Sequence, residues 1–417
     1  MEKHKSKYRW VVFSTVLFAY FLIVSQRTAP GLITDQLMKD FGVTAAAIGL
    51  LTSVQFFAYA SLQVPIGILS DRFGPNVFLI AGTLLNGAGT LLYSFAPNEY
   101  VLFAARLLVG FGDATIWINV VIILSQWFKV NEFVKLLGFA GMVGSFGFLL
   151  ATVPFSIWIS NWGWRAPFFA VGVILTILGV LLYFILIWQP KRMGITAKVS
   201  SHKKNPREKT GSILRRVLSD RQAWATFFCH FGLVGTYVGF IGSWAVPYGM
   251  DMYGLTRSES SQLIMIGLIG AIIGAPLMSS ISSRFDSIKR PYLISHFIVF
   301  FGWCAFLVFN GQPPYPLLII LFLIMGYGTG ASTLTFAVVR QSFDIKDVGV
   351  ISGFANTGGF LSAVLLPFIF GKVLDSFEDG YRYGFMIPVV FSLIGIIGAA
   401  LIKEKERDMK KKREMAV

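Results

Sequence analysis

Among the few ionisable side chains set inside long apolar runs of the chain are Arg27, Arg106, Asp113 and His230. A charged group at the centre of a bilayer-spanning helix costs about 2.5 to 3.5 kcal/mol on insertion scales, so each needs a role that offsets the cost. Arg27, shortly before Pro30, carries a planar fork of donors that suits a carboxylate; the alternative is a residue snorkelling to the membrane surface. Arg106 and Asp113 are seven residues apart, two helical turns, which places them on one face about 10 Å apart and too far for a direct pair. Asp113 reads either as a site that takes up and releases a coupling proton or as a carboxylate held structurally by its neighbours. His230 reads as a proton relay or as a hydrogen-bonded packing residue, because an imidazole changes charge near physiological pH. Tyr20, Gln55, Tyr59, Asn119, Tyr237, Trp244 and Asn356 recur in the same runs and could line a solute site with hydrogen bonds and an aromatic wall, or pack between helices.

Other chemistries lack their residues. Cys229 and Cys304 are the only cysteines, both in apolar runs, with no CxxC spacing, so they read as small packing residues with no metal or redox role. The glycines of 326–330 and 138–147 follow no strand and precede no Lys-Ser/Thr pair, so they mark close helix crossings and not a phosphate loop. No enzyme activity, nucleotide or cofactor is expected.

The elements that must hold these residues follow from composition. With 55% hydrophobic and 14% charged residues and a mean hydropathy of +0.68, the chain lies far from the roughly 25% charged content of soluble domains. Apolar segments fall at 10–32, 45–69, 77–95, 100–125, 134–156, 166–188, 223–247, 260–281, 291–309, 317–339, 348–374 and 385–402. Each is about the length a 30 Å bilayer core requires, which predicts an all-α membrane protein with twelve transmembrane helices. Residues 1–188 and 222–402 then form two six-helix bundles, joined by a linker at 189–221 and followed by a tail at 403–417.

The net charge of +15 is a topology signal and not a nucleic-acid footprint. The linker carries Lys191, Arg192, Lys198, Lys203, Lys204, Arg207, Lys209, Arg215, Arg216 and Arg221 against Glu208 and Asp220, and both termini are basic. An even number of spans puts linker and termini on one side, expected to be cytoplasmic, in the inner or plasma membrane, with a retained first helix. The basic segments could also meet anionic lipid. Repeats support two halves: residues 138–144 (GFAGMVG) match 353–359 (GFANTGG), and Ser70-Asp71-Arg72-Phe73 echoes Ser282-Ser283-Arg284-Phe285.

Gly67-Ile68-Leu69-Ser70-Asp71-Arg72-Phe73-Gly74 resembles the loop signature of the major facilitator superfamily, and Arg106-Leu107-Leu108-Val109-Gly110 resembles its Arg-x-x-x-Gly pattern. The segments 26–30, 49–51 and 63–67 are most similar to the branch of organic-anion and sugar-phosphate symporters. The resemblance implies pseudo-symmetric bundles and a latch formed by Gly67, Asp71, Arg72, Gly74 and Arg284 at the cytoplasmic gate, with Pro75 and Asn76 where the family usually has basic residues. It also makes Arg106 a structural or coupling element. Phosphate carriers of that branch have a second arginine in the seventh helix; this chain has His230, which argues against a phosphate ester. The fifth span has Gly144-Ser145 in place of the Gly-Pro pair common in exporters, which favours uptake.

The expectation is therefore a monomeric secondary transporter that moves a small organic anion or similar metabolite by alternating access with a coupling proton. Charge concentrated in the N-terminal half assigns coupling there and specificity to the C-terminal half. The alternative is a multidrug or metabolite/proton antiporter working in efflux.

Overall fold

The structure, a computed structural model, describes residues 7–128, 130–194, 210–285, 287–343 and 348–403. Every regular element among them is helical, and twelve helices are long and apolar enough to cross a membrane, from Arg9–Leu32 to Gly380–Leu401. Local chemistry sets their ends. Asn98 accepts from the Val101 amide to start the fourth span, and Asp220 accepts from Gln222 and Ala223 to start the seventh. Gly74, at φ +92°, ends the second helical run at Phe73 and delivers Pro75 to the first turn of the third.

The pairing of spans reveals two related six-helix bundles. In the N-terminal half the first span packs on the fifth, the second on the fourth, and the third on the sixth. Adding six to each number gives the contacts of the C-terminal half: seventh on eleventh, eighth on tenth, ninth on twelfth. The same shift exchanges the two seams between halves, second with eleventh and fifth with eighth. Small residues allow the closest approaches: a Cβ on Gly326 of the tenth span would overlap the backbone carbonyl of Gly267 on the eighth. On the outside, apolar side chains such as Phe18, Ile177, Phe301 and Val390 stand exposed, as a lipid-facing surface requires.

The first, fourth, seventh and tenth spans are interrupted, as are the fifth between Leu150 and Val153 and the twelfth at Phe385, whereas the third and ninth run unbroken over Pro75–Ser94 and Lys289–Val308. In the first, Arg9–Thr28 tightens into a 3₁₀ turn at Ala29–Leu32, where Pro30 supplies no amide donor. In the fourth, Glu99–Ala114 gives way to Ile116–Trp127 at Thr115, whose amide and hydroxyl both turn back to the Gly112 carbonyl. Ser332 divides the tenth in a similar way, its hydroxyl bonding the Thr329 carbonyl. The seventh carries a wide π turn at Phe231–Gly235. It then leaves the helix after Ile241 and resumes as Ala245–Tyr253, so the single span expected over 223–247 is two helices.

Short helices occupy segments read as loops: Thr34–Phe41 follows the first span, and Thr210–Ser219 lies within the expected linker. Residues 195–209 of that linker and the tail from 404 onward lie outside the described residues.

Candidate functional site

The interruptions place the ionisable side chains. Arg27 is the last residue but one of the α-helical part of the first span and Asp113 that of the fourth, two residues before each break. There they meet: Arg27 Nε donates to Asp113 Oδ2 at 2.8 Å and Nη2 to Oδ1 at 3.0 Å. Asp113 keeps 2% of its side-chain surface and Arg27 11%, so the bidentate pair is nearly dry. The Arg27 guanidinium also lies 5.0 Å from the Tyr59 ring centroid. Tyr20 packs on Trp117 at 5.3 Å, with its hydroxyl end against Gly144. Spacing had separated Arg106 from Asp113 correctly, but it gave no hint that Arg27 is Asp113's partner, because that contact bridges 86 residues.

The C-terminal half has its own polar pole at the corresponding breaks. His230 ends the first helix of the seventh span, and Thr335 lies just past the break in the tenth. His230 Nδ1 is 3.2 Å from Thr335 Oγ1, which is 2.5 Å from the Tyr292 hydroxyl of the ninth span. Asn356 is a further hydrogen-bond neighbour of His230. The two poles border one segment of the eleventh span: the Phe360 ring is 4.3 Å from that of Tyr59, and Gly359 abuts the His230 imidazole.

Other side chains singled out from the sequence serve packing in this conformation. The Asn119 amide donates to the Thr115 carbonyl, Tyr237 to that of Ile264, and Trp244 Nε1 to that of Pro367. Gln55 Oε1 accepts from Arg106 Nη1 at 3.3 Å. Gly74 forms its turn and Arg284 is exposed, while the surroundings of Gly67, Asp71 and Arg72 lie outside what is described.

Sequence reading missed a second charged assembly, at the end of the bundle remote from the chain termini. Asp35, on the short helix after the first span, binds Arg257 at the start of the eighth with distances of 2.7 and 2.6 Å, and Arg257 also donates to the Leu32 carbonyl. Asp375, near the end of the eleventh span, accepts from the Ala45 and Ala46 amides at 2.9 and 2.8 Å. It thus caps the second span from the opposite half. Beneath these contacts Thr52 and Ser243 join hydroxyl to hydroxyl at 2.7 Å, and Gly49 lets the second span touch the Pro367 carbonyl. Beyond them a cavity of about 560 Å³ opens outward, lined in part by Asp35, Lys39, Trp244, Asp251, Asp375 and Tyr381. Asp35, Arg257 and Asp375 sit at span ends, where a charge reads as merely solvated, so their partners were invisible in sequence.

Two pseudo-symmetric six-helix bundles around interrupted spans, with charge buried where they meet, define a multi-pass membrane protein built like a solute carrier. The chain belongs to the Major Facilitator Superfamily, whose model matches residues 16–311 and 253–416. It is similar to a probable galactarate/D-glucarate transporter of Bacillus subtilis, 22% identical over 447 residues, covering 97% of this chain and 96% of that protein. It is also similar to a gentisate transporter of Corynebacterium glutamicum, 25% identical over 404 residues, covering 94% and 85%. The fold matches the crystal structure of a bacterial homologue of the human lysosomal transporter Spinster in an inward-facing, unoccupied conformation. That match has a TM-score of 0.73 and 17% identity and covers 95% of this chain and 97% of the other.

Proposed function

We propose that this protein takes up a small organic anion together with a proton, by alternating access of its two halves across the inner or plasma membrane. The observation that carries the reading is the buried bidentate pair of Arg27 and Asp113 at the breaks of the first and fourth spans. A carboxylate substrate needs the same Arg27 fork that Asp113 occupies. Protonating Asp113 removes its charge and releases Nε and Nη2, so proton and anion bind as a set and neither crosses alone. The pole of His230 and Thr335 adjoins the same segment of the eleventh span, which itself carries Asn356, and offers hydroxyl and amide groups for orienting the rest of the solute. Names of relatives that carry galactarate, glucarate and gentisate agree with a small organic anion.

Orientation follows from the basic linker at 189–221, which belongs on the cytoplasmic side with both termini. The assembly of Asp35, Arg257 and Asp375 is then an outer gate, and its closure makes this conformation inward-facing. Uptake by proteoliposomes holding the purified chain, with an acid-outside gradient and a panel of galactarate, glucarate, gentisate and lipophilic cations, tests the reading. Accumulation of an anion that collapses with the gradient supports it; proton-driven movement of cations in the opposite direction refutes it.

A further inference from the structure

Arg106 is 1% exposed in the interior of the N-terminal half, and among the described residues no carboxylate pairs with it. Its guanidinium lies 3.9 Å from the Tyr93 ring centroid, and Nη1 reaches the Gln26 carbonyl at 3.5 Å and Gln55 Oε1 at 3.3 Å. Gln26 Nε2 and Oε1 and Gln55 Nε2 have no partner, and the Tyr93 hydroxyl, a hydrogen-bond neighbour of the Arg106 guanidinium, leaves its own proton and further guanidinium N–H groups unmet. Gln26 and Tyr93 are fully buried and Gln55 is 1% exposed. Three residues that touch one guanidinium thus hold unpartnered groups, and all but Gln26 Oε1 can donate. Water could satisfy such donors, but it leaves the charge of Arg106 uncompensated in a low-dielectric interior, where a lone buried ion is strongly unfavourable. An arginine cannot relieve the cost by losing its proton.

We propose that Arg106, Gln26, Gln55 and Tyr93 hold a small inorganic anion of chloride size as a resident counter-ion, separate from the transported solute. A halide accepts several N–H and O–H donors at once and supplies the missing negative charge. Through Gln26, next in sequence to Arg27, it also steadies the turn that carries the transport pair.

The test is the melting temperature of the purified full chain at fixed ionic strength, with sodium HEPES exchanged stepwise for sodium chloride or bromide. The expected result is a saturable rise on the order of 2 °C for either halide. Arg106→Gln is expected to abolish the rise. Tyr93→Phe is expected to weaken the apparent affinity about tenfold, and it supplies the answer if Arg106→Gln does not fold. Arg27→Gln is expected to retain the response, which separates this site from the transport pair. A melting temperature indifferent to halide would mean that water alone fills the donors and would overturn the proposal. So would a halide response that survives in Arg106→Gln or disappears in Arg27→Gln.

Discussion

Replacing Asp375 with Ala removes the carboxylate that caps the second span from the eleventh. Two charge-assisted bonds, at 2.9 and 2.8 Å, disappear, together with a negative charge at the positive end of a long helix. Capping bonds contribute about 1 kcal/mol and a charge at a helix end about 0.3 to 1 kcal/mol, so the loss is about 2 kcal/mol. It falls on the closed form alone, because in the open form Ala45 and Ala46 donate to water in either variant. At 1.4 kcal/mol per factor of ten, the open population rises about 30-fold. Asp375→Asn keeps one good acceptor and is expected to give about half that free energy, roughly a fivefold rise.

Thr52, 5% exposed and bonded to Ser243 across the seam, provides the reporter. In a background without Cys229 and Cys304, Thr52→Cys reacts with a membrane-impermeant maleimide added outside whole cells only when the seam opens. The labelling rate should rise in the proportions above, with Asp375→Asn between parent and Asp375→Ala. Equal rates in all three, at unchanged melting temperature, would refute the argument that this carboxylate favours closure.

Asp113→Asn should tighten anion binding at pH 7.5 by about tenfold, since a neutral amide competes less well for the Arg27 fork, while proton-driven accumulation is lost and exchange persists; calorimetry and counterflow measure the two effects. Gly326→Ala forces a methyl against the Gly267 backbone and should cost about 1 to 3 kcal/mol, read as a lowered melting temperature in detergent. Asp251 accepts from the Tyr381 hydroxyl at 2.7 Å, yet burial raises its pKa above the ordinary range, and the charge of Asp35 adds to the rise. A raised folded value stabilises the protonated form, so Asp251's contribution is present at low pH and lost as pH climbs through that value. Asp251→Asn should therefore melt higher than the parent at neutral pH and match it near pH 4, a convergence that a purely steric effect of the substitution would not produce.

How much of this was legible in the sequence depended on how far apart the interacting residues lie. Twelve spans and their duplication follow from runs about 20 residues long and from short repeated motifs, all local signals. The breaks were harder to read: Pro30 stands in the turn of the first span, which reads as one helix over 10–32, and Thr115 and Ser332 interrupt helices through hydroxyl bonds to preceding carbonyls that any Ser or Thr can make. Partners were not legible at all. Asp113 finds Arg27 across 86 residues, Arg257 finds Asp35 across 222, and Asp375 finds Ala45 across 330. Such contacts depend on which faces of distant helices meet, and helical periodicity in one segment carries no information about the orientation of another.

The duplication also makes the two poles comparable. Breaks in the first and fourth spans hold Arg27 and Asp113; those in the seventh and tenth hold His230 and Thr335. One architecture thus carries an ion pair in one half and, in the other, an imidazole and a hydroxyl hydrogen-bonded to each other, with no carboxylate among their partners in the described residues. An ion pair in both halves would leave a monovalent anion competing with two internal carboxylates, and neutral groups in both would leave no group whose protonation releases a binding fork. With one of each, the proposed mechanism has the energy of a proton act at Arg27 while the opposite pole varies its hydroxyls and amides to suit the solute. Thr335→Val should accordingly change which anions are carried without uncoupling them from the proton, and an uncoupled Thr335→Val transporter would place coupling in both halves.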